Sequence, residues 1–273
     1  MKTDFTPFTP TQNPPSQAPL TPWGVYAAWQ RNARVYQATW LVNSLPPLSE
    51  PLIYLVAFGY GLTPLVGEIS YYGTTVDYLR FLAPGMMGIG VLFQSYSEGA
   101  YASYLRLDYQ KTWHAILTTP LTFSEVFTGE LLWAATKGMI AALATGLLAI
   151  LWGLMSITTL VLSIPLLLLG SVAFAGAGLL TAGLVRTIDQ INVPIYLLIV
   201  PMFTLCGTYF PRETLPSPLL EVAGLLPLSL LVDLLRWPLG LPDHLPWALL
   251  GLLGWAIASI FLAWRTIYPR LFR

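Results

Sequence analysis

Polar and charged side chains are concentrated in one short segment of this sequence, 106–120, which lies between two long apolar stretches. The first half of the segment is polar, and the second half carries apolar side chains at helical spacing. The residues that make this pattern are Arg106, Asp108, Tyr109, Lys111, Thr112, Trp113, Ile116, Leu117 and Pro120. Because an amphipathic helix can bind in a groove of a partner protein, the pattern predicts docking. The alternative is an ordinary helix at the membrane surface.

The sequence lacks the motifs that catalysis would need. It contains no Gly-Lys pair, so it has no phosphate-binding loop, and Gly-x-Ser-x-Gly, His-Glu-x-x-His and Cys-x-x-Cys are also absent. The single cysteine, Cys206, excludes a disulfide framework within one copy, and two histidines make a histidine-rich metal site a poor fit. We therefore expect no catalytic residue, no metal and no cofactor in this chain.

Carboxylates inside apolar stretches are the next candidates, because an ionisable group within a membrane is functional by default. Glu50 and Glu98 stand out in this way. Glu50 precedes Pro51 near the expected cytosolic entry of its span, so it lines a pathway, reaches water or caps a broken helix beside Pro51. Glu98 has Tyr101 one turn away, and it either lines a pathway or occupies a polar interior between helices.

Aromatic residues recur in and beside the apolar stretches, and Tyr54, Phe58 and Phe203 are the ones that we add to the predicted substrate pathway. Stacked rings could guide a sugar or a lipid through the membrane. Simple packing, or a position at the membrane interface, is the more frequent role of such rings.

The amino-acid composition indicates what kind of secondary structure positions these residues. The chain is 55% hydrophobic and 10% charged, with a mean hydropathy of +0.65, whereas a soluble domain carries about 25% charged residues. We therefore predict an all-α polytopic membrane protein. The formal net charge of zero argues against a nucleic-acid partner.

Six stretches are long enough to cross a bilayer, which takes about 20 helical residues. They are 40–63, 81–104, 127–153, 159–185, 191–210 and 246–265. With both termini in the cytosol, only Arg80, Arg212 and Arg236 of the 13 Lys and Arg residues lie outside, as the positive-inside rule requires. Lys137 would snorkel from the third span to the cytosolic headgroups.

Three further regions complete the prediction. Residues 1–22 are rich in Thr, Pro and Gln and form a disordered cytosolic tail. An interfacial helix follows, with Trp23 and Trp29 toward the lipid and Arg31 and Arg34 toward the headgroups; the alternative is a cytosolic extension of the first span. Segment 213–240 forms two short helices in the outer leaflet, broken at Pro227. Within it, Asp233 and Arg236 could pair at i, i+3.

Several of these segments resemble the type-two ABC export permeases, and most of all the branch that exports nodulation factors (lipo-chitooligosaccharides). The motifs are Glu50–Gly61, Tyr78–Gly85, Tyr109–Trp113 with Thr119–Leu121, Gly129–Lys137 and Gly207–Pro216. The resemblance covers about residues 23–270. The proline-rich tail before Trp23 departs from the compact start that is typical of the family.

The resemblance implies a permease domain, 23–273, in a bacterial inner (cytoplasmic) membrane. Such a permease forms a homodimer surrounded by membrane lipid and binds two copies of a separate cytosolic ATP-binding subunit, which holds ATP and Mg. Segment 106–120 matches the coupling helix of the family, and 213–240 matches its outer-leaflet helix pair. ATP-driven closure of the motor would shift the two permease halves and change access to the pathway.

The function that we expect is export of an amphipathic glycolipid, a lipo-oligosaccharide or another hydrophobic substrate. Two alternatives stay open: a drug or antibiotic efflux permease, and a non-exporting protein that uses a partner's ATP hydrolysis for mechanical work or sensing. A membrane-embedded enzyme is disfavoured, because clustered carboxylates or histidines are not evident. A stand-alone ion-coupled transporter is disfavoured too, because such proteins show repeated broken helices or paired intramembrane ionisable groups.

Overall fold

The computed structural model describes residues 20–240 and 245–272, apart from the side chains of 44, 46–48, 50 and 51. Most of the predicted tail, 1–22, therefore lies outside the described residues. The first helix begins at Pro22, and the hydroxyl of Thr21 accepts a hydrogen bond from the backbone N–H of Gly24 at 3.2 Å. This N-cap, followed by proline in the first turn, is a standard way to start a helix.

The N-terminal half combines four helices with one hairpin. Its elements are α1 (Pro22–Ala38), α2 (Trp40–Gly61), α3 (Thr63–Val66), β1 (Glu68–Tyr71), β2 (Thr74–Asp77) and α4 (Tyr78–Ser97). The strands pair antiparallel, with Tyr71 opposite Thr74. Tyr72 and Gly73 both have positive φ, 44° and 80°, which is the backbone that a tight two-residue hairpin turn requires.

Two π-helical turns, Glu98–Ala102 and Leu105–Tyr109, prolong α4 toward the short helix α5 (Thr112–Ile116). The remaining elements are α6 (Phe123–Leu151), α7 (Ile157–Leu184), a 3₁₀ turn (Ile188–Ile191), α8 (Asn192–Pro194), a π-helical turn (Ile195–Ile199), α9 (Val200–Leu205), a 3₁₀ turn (Arg212–Thr214), α10 (Ser217–Leu225), α11 (Pro227–Leu235) and α12 (Leu245–Leu271).

Helix α4 is the centre of the helical packing. It contacts α2, α6, α7 and α11, and most of its residues are buried. Its continuation crosses α7 closely, because a Cβ added at Gly99 would lie 2.7 Å from the Ala175 carbonyl oxygen, and one added at Gly178 would lie 2.5 Å from that of Tyr96. Glycine at both positions therefore lets the two backbones touch.

Four helical segments among the described residues are long and apolar enough to cross a membrane. They are Phe123–Leu151, Ile157–Leu184, Ile188–Leu205 and Leu245–Leu271, which confirms the third to sixth predicted spans as apolar helical segments. The first two predicted spans coincide with α2 and with α4 and its π-helical extension, and both are helical. Helix α4 is not among these four, and the first span is represented among the described residues by the shorter apolar helix Leu52–Val66, so the count of six stays a prediction.

Helices α10 and α11 form a pair bent by 82° at the break before Pro227. This confirms the two short helices predicted in 213–240. The predicted pair of Asp233 with Arg236 is wrong. Arg212 binds Asp233 instead, while Arg236 donates to the carbonyl oxygens of Phe81, Gly207 and Thr208 at 3.2, 2.8 and 3.1 Å.

The reason for this arrangement is burial. Arg236 is 2% exposed, and a buried guanidinium must satisfy several donors at once. Three carbonyl oxygens from two other segments do that better than one carboxylate on the same helix, and they tie α11 to α4.

Candidate coupling site

Four charged side chains meet where the π-helical turns pack on α6. Arg106 lies 3.0 Å from Glu98 and 2.7 Å from Glu130, and Lys137 lies 3.1 Å from the second oxygen of Glu98. We refer to Glu98, Arg106, Glu130 and Lys137 as the charge cluster. Two acids and two bases alternate in it, so each charge has an opposite neighbour.

The local structure explains why these four side chains meet. On α6, Glu130, Trp133 and Lys137 follow at i, i+3 and i+7, which is one face of a helix. On the other side, π-helical turns carry both Glu98 and Arg106. Such wide turns change the direction of the side chains that follow, and they are frequent at functional sites.

Neutral donors complete the charge cluster. Trp133 Nε1 donates to Glu98 at 2.9 Å, Asn32 Nδ2 donates to Glu130 at 3.1 Å, and the Ser103 hydroxyl lies 3.5 Å from Glu130. The four charged side chains are between 2% and 14% exposed. Because a buried charge is tolerated only when it is paired and hydrogen-bonded, the cluster holds α1, α4 and α6 in one arrangement. The prediction that Lys137 snorkels is wrong.

A second ionic link joins the segment to the C-terminal helix. Arg270 of α12 binds the carboxylate of Asp108, and Lys111 lies 4.0 Å from the same carboxylate. Arg270 also donates to the carbonyl oxygens of Ala182 and Gly183 at the end of α7, at 2.8 and 3.3 Å. One arginine therefore connects the π-helical turn Leu105–Tyr109, α7 and α12.

Trp113 lies inside the protein rather than on its surface. Its side chain is 0% exposed, and its ring packs 6.3 Å from Phe123 in a cluster that includes Phe127 and Trp264. Ile116 and Leu117 are half-buried against the same cluster. The apolar stripe of the segment thus faces its own chain, which corrects the expectation that this stripe enters the groove of a partner.

The opposite face of the segment is exposed. Tyr109 is 65% exposed and the side chain of Lys111 is 62% exposed. His114, Ala115, Thr118, Thr119 and Pro120 are exposed as well, while Thr112 is half-buried. We refer to Tyr109, Lys111, His114, Ala115 and Pro120 as the exposed face. Of these, His114 and Ala115 were missed by the sequence analysis, although their spacing from Lys111 places them on one side of a helix.

Lys111 has a left-handed backbone, with φ 51° and ψ 25°. A residue other than glycine is uncommon there and stores strain of about 1 kcal/mol. The surrounding contacts impose it, because the chain must turn from the π-helical extension of α4 into α5 within two residues. The exposed face is therefore held by a fixed turn and two ionic links.

Helix α1 lies against α6 along a face of small residues. A Cβ added at Gly129 would lie 2.5 Å from the Ala28 Cβ. Trp29 Nε1 donates to the Thr136 hydroxyl at 3.1 Å and its ring contacts Trp133, so Trp29 packs on the protein and does not simply enter lipid.

The outer side of α1 is different from its inner side. Trp23 is 72% exposed, and Arg34 is exposed whereas Arg31 is half-buried. Of the residues predicted for the interfacial helix, Trp23 and Arg34 are thus exposed while Trp29 and Arg31 face the protein more closely, and the position of α1 at the membrane interface stays a prediction.

The predicted pathway residues divide into two groups. Tyr54 and Phe58 stack 5.9 Å apart on α2, and Tyr209 lies 5.3 Å from Phe58 and 5.5 Å from Phe203. Phe93 contacts Phe203 at 5.5 Å. The structure therefore brings Tyr54, Phe58 and Phe203 into one aromatic cluster, which α2, α4 and the end of α9 supply.

The other predicted pathway residues lie elsewhere. Glu98 is in the charge cluster, in the polar interior that was one of our two interpretations. Tyr101 donates to Asn192 Oδ1 at 2.9 Å, toward the segment that begins the fifth span. The Glu50 side chain lies outside the described residues. These groups do not form one continuous site within the described part of a single copy.

Glu130 and Arg270 are the functional candidates that the sequence analysis missed. Glu130 lies inside the predicted third span, and its spacing from Lys137 was a usable signal. We had used Arg270 only as one of the positive charges that set the orientation of the chain in the membrane. Its partner, Asp108, is 162 residues away, and no local pattern reports such a contact.

The fold and the site define a helical polytopic membrane protein whose short polar segment is tied to several helices and exposed on one face. The ABC-2 type transporter family model matches residues 24–239, and the chain belongs to that family. It is therefore a transport permease subunit and not an enzyme, and ATP hydrolysis belongs to a separate subunit.

Similar proteins include Nodulation protein J of Bradyrhizobium diazoefficiens, which is 35% identical over 81% of this chain and 83% of that protein. Nodulation protein J of Rhizobium meliloti is 34% identical over 80% of this chain and 82% of that protein. The inner membrane transport permease YadH of Escherichia coli is 21% identical over 79% of this chain and 82% of that protein.

Proposed function

We propose that this chain is the membrane subunit of an ATP-driven exporter in a bacterial inner membrane. Two copies of the chain form a homodimer, and each binds one copy of a cytosolic ATP-binding subunit that holds ATP and Mg. The substrate is an amphipathic glycolipid, a lipo-oligosaccharide or a similar hydrophobic molecule, which leaves the cytosol or the inner leaflet. Membership of the ABC-2 type transporter family supports the class, and the relatives named for nodulation support the substrate.

The observation that carries this proposal is the way the exposed face is anchored. Behind it, Arg106 is bound to Glu98 and Glu130, and Asp108 is bound to Arg270. A force on Tyr109 or Lys111 therefore reaches the extension of α4, α6 and α12 through ion pairs rather than through a loose loop. Such packed elements move as rigid bodies between discrete arrangements.

Six spans with both termini in the cytosol complete the proposed architecture. Helices α2 and α4 supply the first two spans. They contain 22 and 20 residues, which at about 1.5 Å per residue is enough for a hydrocarbon core of about 30 Å. Helix α4 can contain fewer apolar residues than a lipid-facing helix because four other helices surround it. The bent pair α10 and α11 then lies in the outer leaflet.

The aromatic cluster is our candidate for one wall of the substrate pathway. Apolar side chains beside it are exposed in a single copy, including Ile53 at 63% and Tyr60 at 83% on α2, and Tyr196 at 72% and Leu197 at 77% before α9. An exposed apolar surface of this kind suits a second copy or lipid. The pathway would then run between the two copies, next to Tyr54, Phe58 and Phe203.

Co-purification with charge reversal on the exposed face tests the proposal. The full chain is purified in mild detergent with its ATP-binding subunit, and the Lys111→Glu variant is compared with Arg265→Glu, which reverses an exposed charge on α12. We expect Lys111→Glu to reduce recovery of the ATP-binding subunit and the ATPase activity at least fivefold. Arg265→Glu keeps both. Ala115→Arg, which leaves Asp108 undisturbed, gives the same loss as Lys111→Glu. Full recovery in both exposed-face variants contradicts the docking assignment.

A further inference from the structure

A polar cavity of about 220 Å³ lies between α1, the start of α2, the π-helical turns and α6. Three cationic side chains line it, Arg31, Arg106 and Lys137, together with one carboxylate, Glu98. These four groups give the described lining a net charge of +2. Glu130, which lies behind Arg106, reduces the total to +1. A concave surface with net positive charge concentrates anions.

Among the described residues, Arg31 is the cation of this cavity without an ion pair of its own, although the Glu130 carboxylate nearby attracts it. Arg106 and Lys137 are bound to Glu98, whereas none of the ion pairs made by the described residues includes Arg31. Arg31 Nη1 donates to Oδ1 of the neighbouring Asn32 at 2.9 Å. A guanidinium has five N–H donors in a planar fork that suits a phosphate, and most of them remain available here.

The surroundings of the cavity select a lipid over a free ion. Val35 lines it and is 59% exposed, and Trp40 at the start of α2 is 60% exposed. Asn43 and Gln110 add polar groups to the lining. A ligand that has an anionic head and an apolar body can place its head among Arg31, Asn43 and Gln110 and keep its body on the exposed apolar side chains.

We propose that this cavity binds the phosphate of an anionic phospholipid headgroup from the cytosolic leaflet, with Arg31 as its principal ligand. The bound lipid fixes α1 against the charge cluster. The proposed ligand is a lipid of the surrounding bilayer and not the transported substrate.

Native mass spectrometry of the purified full chain tests this site. The protein is supplied with phosphatidylglycerol or with phosphatidylcholine of the same acyl chains, and the lipid retained per copy is counted. We expect wild type to retain phosphatidylglycerol preferentially, and Arg31→Gln to lower that retention about fivefold, the effect of one lost cation at a membrane surface. Arg34→Gln, the same change one turn away at an exposed position that does not line the cavity, keeps wild-type retention.

Three further measurements decide the outcome. Arg31→Lys keeps the charge and should restore most of the retention, and Asn43→Asp, which adds a negative charge to the lining, should lower it without removing a cation. These two variants also test the site if Arg31→Gln fails to fold.

Equal loss of phosphatidylglycerol in Arg31→Gln and Arg34→Gln would mean general attraction to the protein surface and would overturn the proposal. Displacement of the lipid by millimolar inorganic phosphate would assign the cavity to a free phosphate and would overturn the lipid assignment.

Discussion

Glu130 shows how a single buried carboxylate can hold three segments together. It accepts from Arg106 on the extension of α4 and from Asn32 on α1, and its own backbone belongs to α6. Its side chain is 2% exposed. Because the cluster is buried, removal of Glu130 leaves Arg106 and Lys137 to share Glu98, so one buried positive charge has no carboxylate of its own.

We therefore expect Glu130→Ala to destabilise the protein by about 3–5 kcal/mol. The matched control is Glu221→Ala, which removes an exposed carboxylate on α10 and should stay within about 0.5 kcal/mol of wild type. Thermal or denaturant unfolding of the detergent-solubilised protein measures both variants. Equal stability of the two variants would show that the charge cluster contributes no more than a surface charge.

Trp113 was predicted to dock on a partner, but in the structure it is a core residue. Its burial gives a second prediction at the residue scale. Truncation to Ala should leave a cavity among Phe123, Phe127 and Trp264 and cost about 3–5 kcal/mol. Trp113→Phe, which keeps a ring, should cost less. The control is Tyr109→Ala on the exposed face.

Measurements of stability and of partner binding distinguish the packing role of the segment from its docking role. We expect Tyr109→Ala to fold normally and to bind the ATP-binding subunit less well, because the ring is lost only from the exposed face. Trp113→Ala is expected to lose stability first, as measured by unfolding in the absence of the partner. A Trp113→Ala variant that unfolds at the wild-type temperature would contradict the buried assignment.

At the scale of elements, the ionic link between Asp108 and Arg270 ties the π-helical turn that precedes α5 to α12. A double-mutant cycle with Asp108→Asn and Arg270→Gln should give a coupling energy of about 0.5–3 kcal/mol, the range for residues in one network. Both side chains are about a quarter exposed, so solvent screening favours the lower half of that range. Unfolding of the four proteins measures it.

The same cycle has a functional readout. If the link transmits force, each single variant should still bind its ATP-binding subunit. The complex should then hydrolyse ATP but transport less substrate for each ATP hydrolysed. A coupling energy of zero, together with normal transport in both single variants, would remove α12 from the proposed route of transmission.

Long apolar elements were predictable from the sequence, and contacts between elements were not. Helix α7 follows from a run without any charge between Leu160 and Val185, since only a helix satisfies its own backbone in lipid. The pair α10 and α11 follows from Pro227, which cannot continue a helix. The π-helical turns have no such signal, and without them the meeting of Glu98 with Arg106 could not be derived.

The candidate site was predictable only in its location. The segment 106–120 stands out by its polarity, but which face it buries depends on Phe123 and Trp264, which come from other elements. Arg106 and Asp108 likewise find partners 24 and 162 residues away. Amphipathic periodicity shows that a helix has two faces, and it does not show which face its own chain covers.

At the scale of the whole molecule, different kinds of contact hold the helices beside α5 and the helices beside α11. On the side of α5, ion pairs join the π-helical extension of α4 to α6 and α12, and the hydrogen bond from Asn32 to Glu130 adds α1. On the side of α11, Arg236 binds backbone carbonyl oxygens, and Arg212 binds Asp233. A push on the α5 side can therefore rotate whole helices while the α11 side keeps its own internal links, which is what the proposed ATP-driven exporter requires.

This architecture predicts that the hairpin β1–β2 and the exposed face of the coupling segment lie on opposite sides of the membrane. In a Cys206→Ala background, Ser70→Cys on β1 and Thr118→Cys after α5 each introduce a thiol at an exposed position. We expect a membrane-impermeant maleimide to label Ser70→Cys from outside the cytoplasmic membrane. Thr118→Cys should react only after the membrane is permeabilised. Labelling of both thiols from one side would mean that α4 does not cross, and the protein would then have fewer than six spans.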